Sequence, residues 1–401
     1  MSEMSYLEKL LDGVEVEWKT LGQTCKIETG KLNANAAVDD GEYMFFTTAK
    51  ETSKIDKFRW DTEALLIAGN ANVGEVKHYI GKFEAYQRTY VLTNFDENVS
   101  VRFLYFVLSH SLKKYLEERT NSAAMTYIVL STLENFPIPI PCPDNPEKSL
   151  AIQSEIVRIL DKFTALTAEL TAELNMRKKQ YNYYRDQLLS FDEEQEKPIY
   201  LEKLLDGVEV EWKLLGDASF FEIANNGRKP VKSSLRIAGK TPYYGANNIQ
   251  DYVDGYTHDG EYVLIAEDGS ASLENYSIQY ATGKFWANNH VHVVRGKTRV
   301  NSRFLFHYLH IVNFIPFLTG GVRAKLTKGQ LIEISVPIPC PDNTEKSLAI
   351  QAEIVRILDK FDTLTNSITE GLPREIELRQ KQYEYYRDLL FSFPKPETVS
   401  N

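Results

Sequence analysis

Hydrophobic residues recur at three- and four-residue steps along two long stretches of the chain. In the first, Ile152, Ile156, Ile159, Phe163, Leu166, Leu170 and Leu174 lead through Arg177, Tyr181 and Tyr184 to Leu188, which is one stripe of an α-helix. Asn145 followed by Pro146 supplies an N-cap and a first helical position. The spacing therefore predicts a helix over 146–190, 45 residues long and about 68 Å at the usual rise per residue. The second stretch runs from Ile350 through Phe361 and Tyr383 to Leu390, but Gly371 and Pro373 interrupt it and predict a kink or break. So long a stripe cannot be buried by its own helix. Packing of the two helices against each other is expected, antiparallel if a two-fold relates them; the alternative is that each packs only on its adjoining domain.

The remaining stretches have a different pattern. Short apolar runs such as Ala64–Ala68 and Tyr262–Ala266 alternate with Gly- and Asn-rich connections, which predicts strands. Helical spacing returns over Val101–Arg119 and Asn301–Phe317, each followed by a polar segment, ERTNSAAMTY or TGGVRAKLTKGQ.

The chain also contains itself twice. YLEKLLDGVEVEWKTL (6–21) recurs at 200–215 with one difference in 16 positions, and 138–163 recurs at 336–361 with 23 of 26 identical. QYNYYRDQLLSF (180–191) returns as QYEYYRDLLFSF (382–393). The intervening segments show no comparable identity. The order is constant–variable–constant, twice over, which points to a pseudo-dimer on one chain with an internal two-fold rather than to a solenoid of short repeats. The expected segments are 1–21 (constant), 22–145 (first variable domain), 146–191 (first long helix), 192–215 (linker and repeated constant segment), 216–343 (second variable domain), 344–393 (second long helix) and 394–401 (a disordered tail).

Within the first helix TAEL occurs twice in succession, over 167–174, and the two copies of the helix differ in length by four residues between Phe163–Gln180 and Phe361–Gln382. Four residues advance a helix about 6 Å and about 40° past a full turn, close to the twist of one base pair of DNA. One added or deleted unit keeps the stripe nearly in register and changes the separation of whatever the helix holds apart. Thr167, Leu170, Thr171 and Leu174 are the residues of this spacer.

Net charge is −10 over 401 residues, with 43% hydrophobic residues, so packed cores are expected. The acidity is uneven. Segment 23–137 carries 13 Lys+Arg against 15 Asp+Glu, and 217–335 carries 13 against 10, so the remaining segments, at 20 against 31, hold the whole of the net negative charge. Three scattered cysteines form no CxxC pair, which argues against a zinc ribbon or a disulfide framework. No apolar run approaches membrane-helix length, the N-terminus lacks signal-peptide character, and a cytoplasmic location is expected. Phosphate-loop, dinucleotide, HExxH and GxSxG signatures are absent, as is the tetrapeptide of an adenine-methylating site. His290 and His292 lack a third metal ligand. The chain reads as non-catalytic.

Amide and cationic side chains in loops on a rigid scaffold are the groups that bind base edges and phosphates. Candidates in the first variable segment are Lys31, Asn33, Asn70, Asn72, Lys77, His78, Arg88 and Asn121. In the second they are Asn226, Arg228, Lys229, Tyr244, Asn247, Asn248, Asn288, Asn289, His290, Arg323 and Lys325, with Lys328 nearby.

Taken together, the chain resembles a specificity subunit of a type I restriction–modification enzyme. The resemblance covers essentially the whole chain. It rests on two divergent domains, each ending in Pro-Ile-Pro-Cys-Pro (139–143, 337–341) before a helix reading I-x-x-E-I-V-x-x-L-D (152–161, 350–359), and on PYYGANN (242–248), GEYVLIAEDGS (260–270), ANNHVHVV (287–294) and GVRAKL (321–326). The TAEL units resemble the IC branch of that family. The resemblance implies an α+β fold: two target-recognition domains, similar to the DNA-reading domain of N6-adenine methyltransferases, separated by two long antiparallel helices forming a coiled-coil spacer. It implies that each domain reads half of a bipartite site in double-stranded DNA. It further implies two methyltransferase subunits supplying S-adenosylmethionine and two translocase–nuclease subunits supplying ATP and Mg, with no cofactor on this chain and no membrane partner. Tyr183 and Tyr385 are the expected docking residues, since aromatics are enriched at interface cores. A coiled-coil scaffold that presents two domains to proteins and reads no DNA sequence is the competing expectation.

Overall fold

The computed structural model describes residues 6–119, 127–191, 199–205, 208–320 and 324–394. The expected linker at 192–198 and the tail beyond Pro394 lie outside the described residues. Two compact units divide the chain, one of residues 1–170 and 375–401, the other of 171–374. The first division falls inside the TAEL repeat.

In the first unit, six strands lie in the order Lys26–Thr29, Thr89–Thr93, Trp60–Ala68, Val76–Ala85, Tyr43–Phe46 and Ser53–Ile55. Only Tyr43–Phe46 runs parallel to its neighbour Val76–Ala85. Strand side chains alternate between faces, and the central strand Trp60–Ala68 follows that rule. Leu65 and Ile67 join Phe103, Leu104, Val107 and Leu108 of the helix Val101–Arg119 in one core. Ala64 and Leu66 pack with Phe46, Phe83 and Val91 on the other face. Both the helix and the strand lie where periodicity predicts them.

The second unit has two four-stranded sheets instead. One orders Phe221–Ile223, Val291–Gly296, Tyr262–Ala266 and Ile278–Ala281; the other orders Ile249–Val253, Ala238–Tyr244, Lys284–Ala287 and His258–Asp259. The helix expected over Asn301–Phe317 is shorter, spanning Ser302–Leu309, with a single 3₁₀ turn at Ile315–Phe317. Pro316 cannot donate to Val312, so helical hydrogen bonding cannot continue through it.

The constant segments close each domain at its base. Val16–Thr20 pairs antiparallel with Pro137–Pro141, and Val210–Leu214 pairs with Ser335–Pro339. Alternate positions in the first ladder are proline, which is tolerated because an antiparallel pair uses the N–H of only every second residue on a given side. Ile138 and Ile140 between them are buried.

The first long helix runs Pro146–Leu189, one residue short of the prediction, and Asn145 Oδ1 accepts the Lys148 N–H at 3.0 Å as its N-cap. The second is two helices, Thr344–Asn366 and Gly371–Leu390. The break falls at 367–370, just before the expected Gly371 and Pro373. Gly371 has φ +81, and a Cβ there would meet the Thr363 carbonyl oxygen at 2.4 Å. Pro373 then sits in the first turn of the new helix, where no N–H is needed. Ile368, a member of the predicted stripe, is consequently exposed.

The long helices bury the start of the predicted stripe together with one residue it omits. Ile152 and Ile156 of the stripe are joined by Leu160 in the first unit's core, and Ile350 and Ile354 by Leu358 in the second's. Helix-on-helix packing and packing on the adjoining domain are therefore not alternatives, because both occur in each unit. In the first unit Phe163 stacks on Tyr386 with centroids 5.4 Å apart, and in the second Phe361 stacks on Tyr184 at 5.5 Å. By the sequence repeat these are the same contact with the copies exchanged. Tyr181 also stacks on Phe361, and Tyr383 packs against the first unit's core.

Candidate nucleic-acid interface

In the first unit, backbone contact brings two loops together. Gln87 N–H donates to the Leu32 carbonyl, Gln87 Nε2 donates to Asn33 Oδ1 at 3.0 Å, and Gly30 lies so close to Ala85 that a Cβ would overlap its carbonyl. This places the exposed Lys31 and Asn33 beside the turn that carries exposed Arg88. Asn72 and Lys77 are used differently. Asn72 Nδ2 donates to the Thr48 carbonyl, and Lys77 Nζ to those of Ala49 and Lys50 at 2.8 and 2.7 Å, so both staple the 47–50 loop. His78 Nε2 lies 2.8 Å from Glu63 Oε1. Asn70 is half-buried in the turn 69–74, and its Oδ1 is buried without a hydrogen-bond partner among the described residues. Asn121 lies outside the described residues.

The second unit's candidates surround one carboxylate. Glu267 receives Arg228 Nη1 at 2.5 Å and Lys325 Nζ at 3.0 Å, and His292 lies 3.8 Å away. Burial alone would raise the Glu267 pKa, but hydrogen bonds from Arg228 and Lys325 outweigh it and hold the carboxyl below its ordinary value. His292 is fully buried, with its pKa pushed down by that burial; its Nδ1 faces Asn225 Nδ2 and its Nε2 faces the Leu326 carbonyl at 2.7 Å. Arg228 Nη1 also donates to the Val291 carbonyl. Three loops, around 225–229, 288–292 and 324–326, are thus pinned to one strand end. They present Asn226, Lys229, Asn289 and His290 to solvent, and Lys328 is exposed just beyond. His290 pairs with Asp268.

Not every candidate faces outward. Asn288 is buried, and its Oδ1 accepts the His290 N–H at 2.8 Å. Tyr244 packs edge-on against Phe285 in a core cluster, where burial raises its phenol pKa. Asn247 is exposed yet spends its amide on Gly269, Ala271 and Ser277. Arg228 and Lys325 are bound to Glu267. Asn248 remains exposed, and Arg323 lies outside the described residues. His290 and His292 point to different partners, and no three-residue metal cluster exists among the described residues. In the spacer, Leu170 and Leu174 are half-buried and Thr171 is exposed, while Thr167 Oγ1 donates to the Phe163 carbonyl. Tyr183 and Tyr385 are exposed.

One pair of polar junctions escaped the sequence reading. Gln153 is fully buried; its Oε1 accepts the Ser100 N–H at 2.8 Å, and its Nε2 donates to the Asn98 carbonyl at 2.9 Å. Gln351, also fully buried, does the same with Asn301 (2.8 Å) and Arg299 (3.1 Å). Eight residues on, Asp161 receives Arg102 Nε at 3.0 Å and Asp359 receives Arg303 Nε at 2.7 Å. The available signal was Arg-Phe-Leu at 102–104 and 303–305, three matching letters inside segments that otherwise share none of the constant sequence.

Among the described residues no helix is long and apolar enough to cross a membrane. A sequence profile described as the type I restriction modification DNA specificity domain matches residues 13–177 and 209–378. A putative type I restriction enzyme specificity subunit of Haemophilus influenzae is 61% identical over 204 residues, half of this chain and 51% of that protein. The EcoR124I/EcoR124II specificity subunit of Escherichia coli is 40% identical over the full length of both chains. The fold is similar to that of a type I restriction–modification S subunit from M. genitalium, with TM-score 0.64 at 19% identity, covering 96% of this chain and 98% of that one. Two matched domains on one chain, with a full-length relative at 40% identity, establish that this protein belongs to the family of type I restriction–modification DNA specificity subunits.

Proposed function

We propose that each variable domain reads one half of a bipartite, asymmetric site in double-stranded DNA, and that the long helices set the gap between the halves. The observation that carries this reading is the reciprocal ring stack, Phe163 on Tyr386 and Phe361 on Tyr184. A contact repeated with the copies exchanged is what an internal two-fold of antiparallel helices produces. Lys31, Asn33 and Arg88 in one domain, and Asn226, Lys229, Asn248, Asn289 and His290 in the other, are the exposed candidates that meet bases and phosphates, Asn33 beside its Gln87 partner and His290 beside Asp268. Arg228, Lys325, Asn72, Lys77, His78, Asn247 and Asn288 shape the loops from behind.

The chain itself carries no catalytic step in this reading. Two methyltransferase subunits dock on the helical scaffold near Tyr183 and Tyr385 and bring S-adenosylmethionine. Two translocase–nuclease subunits bring ATP and Mg, and the complex works in the cytoplasm. Thr167–Leu174 tunes the gap, as in the IC branch that the TAEL units resemble.

The test is a genome-wide map of N6-methyladenine in a host carrying the methyltransferase, with and without this gene. A split motif that vanishes with the gene is expected. Deleting Thr171–Leu174 should then shorten its gap by about one base pair, from the helical advance of four residues. Unchanged methylation, with the methyltransferase expressed and bound to the chain, would overturn the reading in favour of a protein-interaction scaffold.

A further inference from the structure

The two variable domains differ in sequence and in sheet arrangement, yet each meets its long helix through the same two polar points. The first is a fully buried glutamine that takes the N–H and carbonyl of the strand-to-helix connection, Ser100 and Asn98 in one unit, Asn301 and Arg299 in the other. Ser149 and Ser347, one turn earlier, accept from the same glutamines at 3.1 and 3.0 Å and fix their rotamers. The second is the ion pair of Arg102 with Asp161, and of Arg303 with Asp359 and Asp362. On the long helix the two points are eight residues apart, about 12 Å; on the domain they are two residues apart. Apolar packing between them is non-directional and leaves a domain free to rock about its helix. Two separated hydrogen-bonded points remove that freedom.

We propose that these junctions are positioning devices for recognition. Gln153 with Arg102–Asp161, and Gln351 with Arg303–Asp359, lock each reading domain at one angle on its helix and so make the subunit intolerant of a wrong gap between half-sites. This rests on the bipartite reading above. A base pair more or less moves a half-site by about 3.4 Å and about 35°, so a domain held at one angle cannot follow it and a rocking domain can. None of the junction residues belongs to the exposed candidate set, so base choice within each half-site is left to other side chains.

The experiment expresses the full chain with its methyltransferase in a host and maps N6-methyladenine for the natural sequence, Arg303→Met, Arg303→Lys and Gln351→Leu. Arg303→Met keeps the apolar stem and loses the fork; it is the principal variant because this side chain is partly exposed and folding should survive. The natural chain should methylate one gap length. Arg303→Met should methylate the same half-sites at gaps one base pair longer and shorter, with discrimination between gaps reduced roughly tenfold, the effect of about one lost contact in a site. Arg303→Lys, which keeps the charge without the fork, should fall between. Gln351→Leu should relax the gap as well, and its thermal unfolding shows whether it folds. Uniform loss of methylation with the gap still strict would reduce the junctions to structural supports and overturn the proposal. A natural chain that directs no split motif would overturn the bipartite reading beneath it, a result separable from the first.

Discussion

In the second domain one carboxylate, Glu267, ties three loops together through Arg228, Lys325 and His292. Its partners Arg228 and Lys325 show their charge in the sequence but not their pairing. Replacing Glu267 by Gln removes the charge that both cations answer. Methylation directed by this subunit is expected to fall about tenfold or more, from leaving the largely buried Arg228 guanidinium without its carboxylate. In a binding assay with duplexes mutated in one half-site at a time, the loss should map to the half-site read by residues 216–343. An equal loss at both half-sites would show that Glu267 does not act locally. The same cluster sets a pH dependence. The pKa of His292 is lowered by burial, so the unfolded chain binds its proton first, and the stability held above the ordinary histidine range is lost as pH falls below about 6.5. Glu267, with a lowered pKa of its own, adds a second loss below about 4.5. Denaturant unfolding between pH 7.5 and 5 should therefore show stability falling by up to about 1.4 kcal/mol per pH unit for each such histidine, and His292→Asn should flatten that part of the profile.

Helices are where local rules carried furthest. Val101–Arg119 and Pro146–Leu189 follow from periodicity and from the Asn145 cap, which depend on neighbours in sequence. The second long helix departs from its stripe because Ser367–Glu370 breaks it and Gly371 takes a left-handed φ against the Thr363 carbonyl. Gly371→Ala should destabilise the chain by about 2 kcal/mol or more, the sum of a left-handed backbone and a close contact. Denaturant unfolding of the full chain measures it, and a change under 0.5 kcal/mol (about the scatter of neutral surface substitutions) would mean the turn relaxes freely. The buried seam Ile152, Ile156 and Leu160 was legible only in part, since a helix with apolar positions on two faces gives no single stripe.

For the whole molecule, charge is the guide. The chain is −10 overall, and the excess acidity lies in the constant segments, while the first domain leaves Lys31 and Arg88 as its exposed candidate cations. Few phosphate contacts mean a shallow dependence of binding on salt. The isolated chain is expected to bind duplex DNA weakly and with a shallow salt slope, and the complex with methyltransferase to bind tightly with a steeper one. Fluorescence anisotropy at several salt concentrations compares them, and equal affinity and slope would show that this chain supplies the phosphate contacts alone.

By itself the sequence determined the duplication, the long helices and the cap of the first, the divergence of the two domains, and through these the family. All are local patterns or self-comparisons that need no coordinates. The tertiary structure decided which polar residues face out. Asn288 and Tyr244 turned inward into packed surroundings, while Asn72 and Lys77 became staples and Arg228 and Lys325 were drawn to Glu267, because partners remote in the sequence compete with solvent for the same groups. It also decided the six-stranded sheet against the pair of four-stranded sheets, and it brought Gln153 and Gln351 under backbone groups some fifty residues distant. Composition records which side chains exist; only folding assigns each one a partner.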